Sequence, residues 1–252
     1  MPTAAIIGGG VIGSAWASRV LLNGWEVRFH DPAPNSEAVL KKVLDKARRW
    51  VPEVYDHLPA EGALTLCESI ADAVTGADWV QESTPERLEI KHSVLAEIQA
   101  NCSMEAIIAS STSGFMPSEL QAGSARPEQI LVAHPYNPVY LLPIVEVVPS
   151  AVVAEETVQR AESQLSDIGM KHFLEQFGPC LEWPWTKLTD VPDLDDELID
   201  RIVEQSDAQA AGRSVSELEE ERDANLVAML KALRKEDTAA GAFLNRLGAA
   251  SA

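Results

Sequence analysis

The residues of this sequence best suited to proton transfer are a histidine at the end of one apolar run and a glutamate inside the next. His134 follows the run Gln129–Ala133, and Glu146 sits within Ile144-Val145-Glu146-Val147-Val148. An imidazole changes charge near neutral pH, so it can take a proton from a hydroxyl and later return it. A carboxylate inside an apolar strand is costly without a partner. His134 is the partner expected for Glu146, which would hold the second ring nitrogen and stabilise the imidazolium. Ser113, in Ser111-Thr112-Ser113-Gly114, and Asn137 supply polar groups that could hydrogen-bond a substrate oxygen. Such a set suits the oxidation of an alcohol, in which a hydroxyl proton leaves as a hydride is transferred.

The elements that must position these groups begin at the N-terminus. Thr3–Ile7 is a short apolar run, followed by Gly8-Gly9-Gly10-Val11-Ile12-Gly13 and a helical pattern through Leu22. Asn23-Gly24 stops that helix, and Trp25–Asp31 alternates as a strand before Pro32. Gly8, Gly10 and Gly13 therefore fit GxGxxG after a strand, opening a helix, with an acid at the next strand tip. In that context Gly8 allows the tight turn, Gly10 lets the backbone approach a pyrophosphate, and Gly13 lets helix and strand pack closely. The N–H groups of the helix start, from Val11 and Ile12 onward, face the anion. Asp31 would accept bonds from ribose hydroxyls and repel a 2′-phosphate, so the expected cofactor is NAD rather than NADP. Further strands are expected at 77–82, 106–110, 129–134 and 144–148, alternating with helices. The reading is α/β, a Rossmann-type doubly wound and mostly parallel sheet. In such sheets ligands gather beyond the carboxyl ends of the strands, where Ser113 and His134 fall.

Composition limits the partners. The chain has 252 residues and a formal net charge of −19, which argues against nucleic acid and anionic membranes as partners. Lys41, Lys42, Lys46, Arg48 and Arg49 on a helix expected over 37–50 could meet a phosphorylated ligand or simply form a solvated face. Cys67, Cys102 and Cys180 show no CxxC pairing and read as reduced, buried thiols. No apolar stretch approaches a membrane span, and a soluble, cytoplasmic protein is expected. The five histidines lack metal-ligand spacing, so no metal site is expected.

The segments Ile6–Gly13, Ala109–Gly114 and His134–Glu146 resemble the 3-hydroxyacyl-CoA dehydrogenase superfamily. The resemblance implies a substrate-contacting serine at Ser113, a catalytic histidine at His134 and its glutamate at Glu146. It also implies a helix-borne glutamate and lysine near the cofactor, matching Glu86 and Lys91. Within the superfamily, 134–143, 177–188 and 205–213 are similar to the carnitine 3-dehydrogenase branch. That branch implies a small substrate, a quaternary ammonium hydroxy acid, and a homodimer. Aromatic faces hold such a cation, and Phe115, Tyr136, Tyr140, Phe177, Trp183 and Trp185 are candidates, each equally suited to the core. A 3-hydroxyacyl-CoA or other 3-hydroxy acid remains an alternative substrate.

The expected division is a nucleotide-binding domain over 1–150 and a helical one over 151–252, with helices at 155–168, 195–205 and 216–235. Ser214 with Glu217 would cap the last. Against the family pattern, Ile168-Gly169-Met170-Lys171 runs directly into His172–Phe177, where several helices normally intervene. An internal deletion at Lys171/His172 is therefore expected. It would remove a helix-borne polar group near the substrate and part of the dimer surface. A chain that binds NAD without turnover is the further alternative.

Overall fold

Thr3 and the four apolar residues after it, Ala4 to Ile7, form a fully buried strand, β1, beside which the rest of the sheet is assembled. The structure, a computed structural model, describes residues 1–55, 57–174 and 215–234. The strands are β1 (Thr3–Ile7), β2 (Glu26–His30), β3 (Leu64–Leu66), β4 (Trp79–Glu82), β5 (Ile107–Ser110), β6 (Ile130–Pro135), β7 (Ile144–Val148) and β8 (Lys171–Leu174). They form one eight-stranded sheet in the order β3-β2-β1-β4-β5-β6-β7-β8. Every neighbouring pair is parallel except β6 and β7. The connection 136–143 is too short for a helical crossover, so those two strands must run antiparallel.

Seven helices lie among the described residues: α1 (Val11–Leu22), α2 (Ser36–Val54), α3 (Ile70–Val74), α4 (Leu88–Asn101), α5 (Pro117–Leu120), α6 (Glu155–Asp167) and α7 (Val215–Leu233). β1, β4 and β5 are buried along their whole length, as expected for parallel strands covered on both faces. The expected α/β Rossmann-type sheet is therefore present.

Three placements differ from the sequence reading. α4 starts at Leu88, with Arg87 at its N-cap, so Lys91 is helix-borne and Glu86 is not. Glu86 consequently precedes the helix, where its carboxylate can turn toward the loop after β5. Cys67 and Cys102 are only half-buried, although desolvation pushes both thiols above their ordinary pKa. The third difference is β8. The segment Lys171–Leu174 spans the expected deletion point and pairs in parallel with β7, Val145 opposite His172 and Glu146 opposite Phe173. An open β7 edge would leave backbone N–H and C=O groups unpaired, and an extended segment of almost any sequence can fill it. α6 makes the crossover, and Lys171 N–H donates to the Pro143 carbonyl at 2.6 Å.

The contacts divide the chain into one unit of 1–48 with 59–181 and another of 49–58 with 182–252, whereas the sequence places its boundary at 150. In the first unit Arg19 of α1 is almost wholly buried. It donates to the Ile168 carbonyl at 2.9 Å and to those of Gly169 and Tyr140, so a buried cation meets the negative end of α6. In the second, Arg49 pairs with Glu220 at 3.1 Å and Lys231 with Glu53 at 2.5 Å, joining the end of α2 to α7. The expected helix at 195–205, the Ser214 cap, Cys180, Phe177, Trp183 and Trp185 lie outside the described residues. Among the described residues no helix is long and apolar enough to cross a membrane.

Candidate active site

The parallel register brings the carboxyl ends of four strands to one edge. Ile7 stands opposite Glu82, Glu82 opposite Ser110, and Ser110 opposite Val132. Gly8, Ser83 and Ser111 follow at that edge, with His134 two residues beyond Val132 and Ser113 just beyond β5.

At β1 the turn is set by backbone space. Gly8 has φ +101°, and a Cβ there would meet the Ser83 carbonyl oxygen at 2.5 Å. A Cβ on Gly13 would lie 1.8 Å from the Gly8 carbonyl oxygen, so only glycine lets α1 pack this close to β1. Gly10 is different: a Cβ there would meet nothing within 4 Å. Gly10 caps α1 without a side-chain hydrogen bond, and no acid occupies the first turn through Val11 and Ile12. Open space above a helix N-terminus lacking a side-chain cap is what an approaching pyrophosphate needs. Asp31 stands beside this loop. Its Oδ2 accepts from the Gly9 N–H and its Oδ1 from the Ala33 N–H at 2.7 Å. Each oxygen keeps a second lone pair for a ribose hydroxyl. These residues fit a dinucleotide.

The antiparallel step between β6 and β7 sets His134 directly opposite Glu146. His134 Nδ1 lies 2.9 Å from Glu146 Oε2. Both side chains are mostly buried, at 13% and 17% exposure, which strengthens the pair over one in water. The Tyr136 hydroxyl donates to the other carboxylate oxygen at 3.4 Å, and the two rings stand 6.4 Å apart, tilted by 41°. Tyr136 is therefore a support for Glu146 as well as a candidate cage wall. Asn137 is exposed just beyond β6.

Ser113 is exposed, and its loop is gripped from the β4 side. Glu86 Oε1 accepts from the Ser113 N–H at 3.1 Å, the Gly114 N–H at 2.9 Å and the Thr112 hydroxyl. Partial burial pushes the Glu86 carboxyl up, but Thr112, Gly114 and the Lys91 ammonium together hold it below its ordinary value. Lys91 is 1% exposed and lies 3.0 Å from Glu82, a fully buried residue that the sequence reading missed. The sequence signal was weak, because Glu82 follows Gln81 in a strand that is half polar, unlike the apolar run that marked Glu146. Phe115 is half-buried against the core, and Tyr140 is 3% exposed, so its ring offers little face to a ligand. Among the described residues no group of His, Cys, Asp or Glu is arranged to hold a metal.

Fold and site together define a dinucleotide-binding protein of the Rossmann class, with a histidine–glutamate pair at its cofactor edge. Residues 3–174 match the model of the 3-hydroxyacyl-CoA dehydrogenase NAD-binding domain. The chain belongs to the 3-hydroxyacyl-CoA dehydrogenase family, and its cofactor is NAD. It is 43% identical to an L-carnitine dehydrogenase/betainyl-CoA thioesterase of Ruegeria pomeroyi, aligned over 99% of this chain and 66% of that one. It is 42% identical to an L-carnitine dehydrogenase of Mesorhizobium japonicum, over 94% of this chain and 85% of the relative. The first relatives are longer: this chain spans 66% and 62% of the first two. Among solved structures, a 5-formyl-3-hydroxy-2-methylpyridine 4-carboxylic acid 5-dehydrogenase described as an NAD+-dependent dismutase superposes with a TM-score of 0.68. Its identity is 27%, with 86% of this chain and 68% of that chain covered. A 3-hydroxybutyryl-CoA dehydrogenase of Escherichia coli shares the fold, at 21% identity and a TM-score of 0.61, over 69% of this chain and 38% of its own. The alignment to the Ruegeria relative runs over 320 residues, against 252 here, so at least 68 of its positions face no residue of this chain.

Proposed function

We propose that this chain is an NAD-dependent dehydrogenase that oxidises the 3-hydroxyl of L-carnitine to the ketone. The observation that carries the reading is the His134–Glu146 pair, 2.9 Å apart at the edge that also carries the glycine loop. The L-carnitine dehydrogenases at 42–43% identity support the substrate. NAD, when bound, supplies the hydride acceptor. Glu146 holds Nδ1 as the donor nitrogen, so the substrate proton goes to Nε2 of His134. Ser113 and Asn137 orient the hydroxyl oxygen, and the aromatic candidates would face the trimethylammonium group.

The test is NADH formation by the purified chain with NAD and L-carnitine. Turnover is expected, and His134→Gln should lower kcat by about 10² to 10⁴ while NAD binding persists. Near-normal activity in that variant would overturn His134 as the base. Turnover only with a coenzyme A ester would move the substrate to a 3-hydroxyacyl-CoA. The shorter length supports a second reading, a chain that binds NAD without turnover; tight binding with no NADH from any 3-hydroxy compound would favour it.

A further inference from the structure

We propose that Glu82 is a positioning residue for the Ser113 loop, acting through Lys91 and Glu86. The inference rests on the reading above, in which Ser113 orients the substrate oxygen.

Glu82 is 0% exposed and Lys91 1%. Buried charges persist only when paired and hydrogen-bonded, and here the pairing is complete. Lys91 Nζ donates to both Glu82 oxygens at 3.0 Å and to the Thr84 carbonyl at 3.2 Å. These use the three donors of an ammonium. Glu82 also accepts from the Thr84 N–H at 2.6 Å, the Thr84 hydroxyl and the Ser110 hydroxyl. Lys91 therefore has little surface to offer a cofactor or substrate. Its outward reach is electrostatic: Glu86 Oε2 lies 3.4 Å from Nζ.

One ammonium thus stands between two carboxylates of different duty. The inner one is locked in the core at the end of β4. The outer one holds the backbone N–H groups of Ser113 and Gly114. The ammonium's position depends on the balance of the two charges, and the position of Glu86 depends on the ammonium. A second route runs through Ser110, whose hydroxyl donates to Glu82 and accepts from the Thr112 N–H at 3.3 Å. Both routes begin at Glu82 and end in the loop that presents Ser113.

The experiment compares the full chain with Glu82→Gln by amide hydrogen exchange and by kinetics. Exchange at Ser113 and Gly114 is expected to quicken about tenfold or more while β1 and α1 keep their parental protection. kcat with L-carnitine should fall about tenfold to a hundredfold, the scale of a positioning error near 1 Å, with the NAD Kd nearly unchanged. Parental exchange in the loop, or a rise spread evenly over the sheet, would overturn the proposal in favour of a purely structural role. If Glu82→Gln does not fold, the double variant Glu82→Gln/Lys91→Met removes the pair as a unit and leaves no unpaired buried charge. It should show the same local rise, and unchanged loop protection would refute the proposal. A parent without turnover defeats the functional reading alone, because the exchange comparison still decides the role of Glu82.

Discussion

At the scale of residues, two glycines of one loop answer different demands. Gly13 is required by the protein itself, since its Cβ would strike the Gly8 carbonyl oxygen, whereas Gly10 faces open space. Gly13→Ala should therefore lower stability by about 1–3 kcal/mol, the usual cost of forcing atoms into a packed region. Gly10→Ala should change stability by no more than about 0.5 kcal/mol yet weaken NAD binding, because the new methyl takes the space a pyrophosphate would enter. Urea unfolding and NAD titration of both variants separate the two effects. A Gly10→Ala chain that binds NAD like the parent would move the pyrophosphate away from this residue. His134 illustrates the same principle in chemical form: its role depends on what holds its other nitrogen, and Glu146 does so from the neighbouring strand.

At the scale of elements, the strand ends are fixed by the sheet, but the loops beyond them are fixed by side chains. The loop after β5 is tied to the segment before α4 by Glu86. Burial raises that carboxyl, and Thr112, Gly114 and Lys91 more than offset it, so its folded pKa lies below 4.5. A carboxyl held low in the folded state contributes stability that is fully present above its unfolded pKa. That contribution is lost as pH falls through the folded value. The thermal stability gap between the parent and Glu86→Gln should therefore be constant at neutral pH and close below pH 4.5. The gap should be small, since the side chain is 43% exposed and solvent screens it. A gap that persists into stronger acid would show that the charge of Glu86 does not tie the loop.

At the scale of the whole molecule, the formal charge of −19 sets a field that anionic and cationic ligands meet with opposite sign. NAD carries phosphate charge, so its association rate should rise as salt shortens the Debye length from about 30 Å at 0.01 M to about 8 Å at 0.15 M. Stopped-flow fluorescence would measure this, and a rate that falls with salt would mean that local positive groups outweigh the net charge. At least 68 positions of the Ruegeria relative have no counterpart here, and the sheet among the described residues has eight strands, the last of them Lys171–Leu174.

The sequence by itself determined the glycine loop, the acid at the tip of β2, the apolar strands and the two strand ends bearing Ser113 and His134. These are local properties: a turn needs glycine wherever it occurs, and a buried strand needs apolar residues whatever lies beside it. Glu146 was legible for a related reason, because a lone carboxylate in an apolar run demands a partner. The tertiary structure alone decided that the Tyr136 hydroxyl reaches the Glu146 carboxylate. It also decided that Lys91 points into the core toward Glu82, that Glu86 precedes its helix, and that 171–174 pairs along β7. Each of these depends on which distant segments become neighbours, and burial and charge pairing among neighbours are not written in any one stretch of chain.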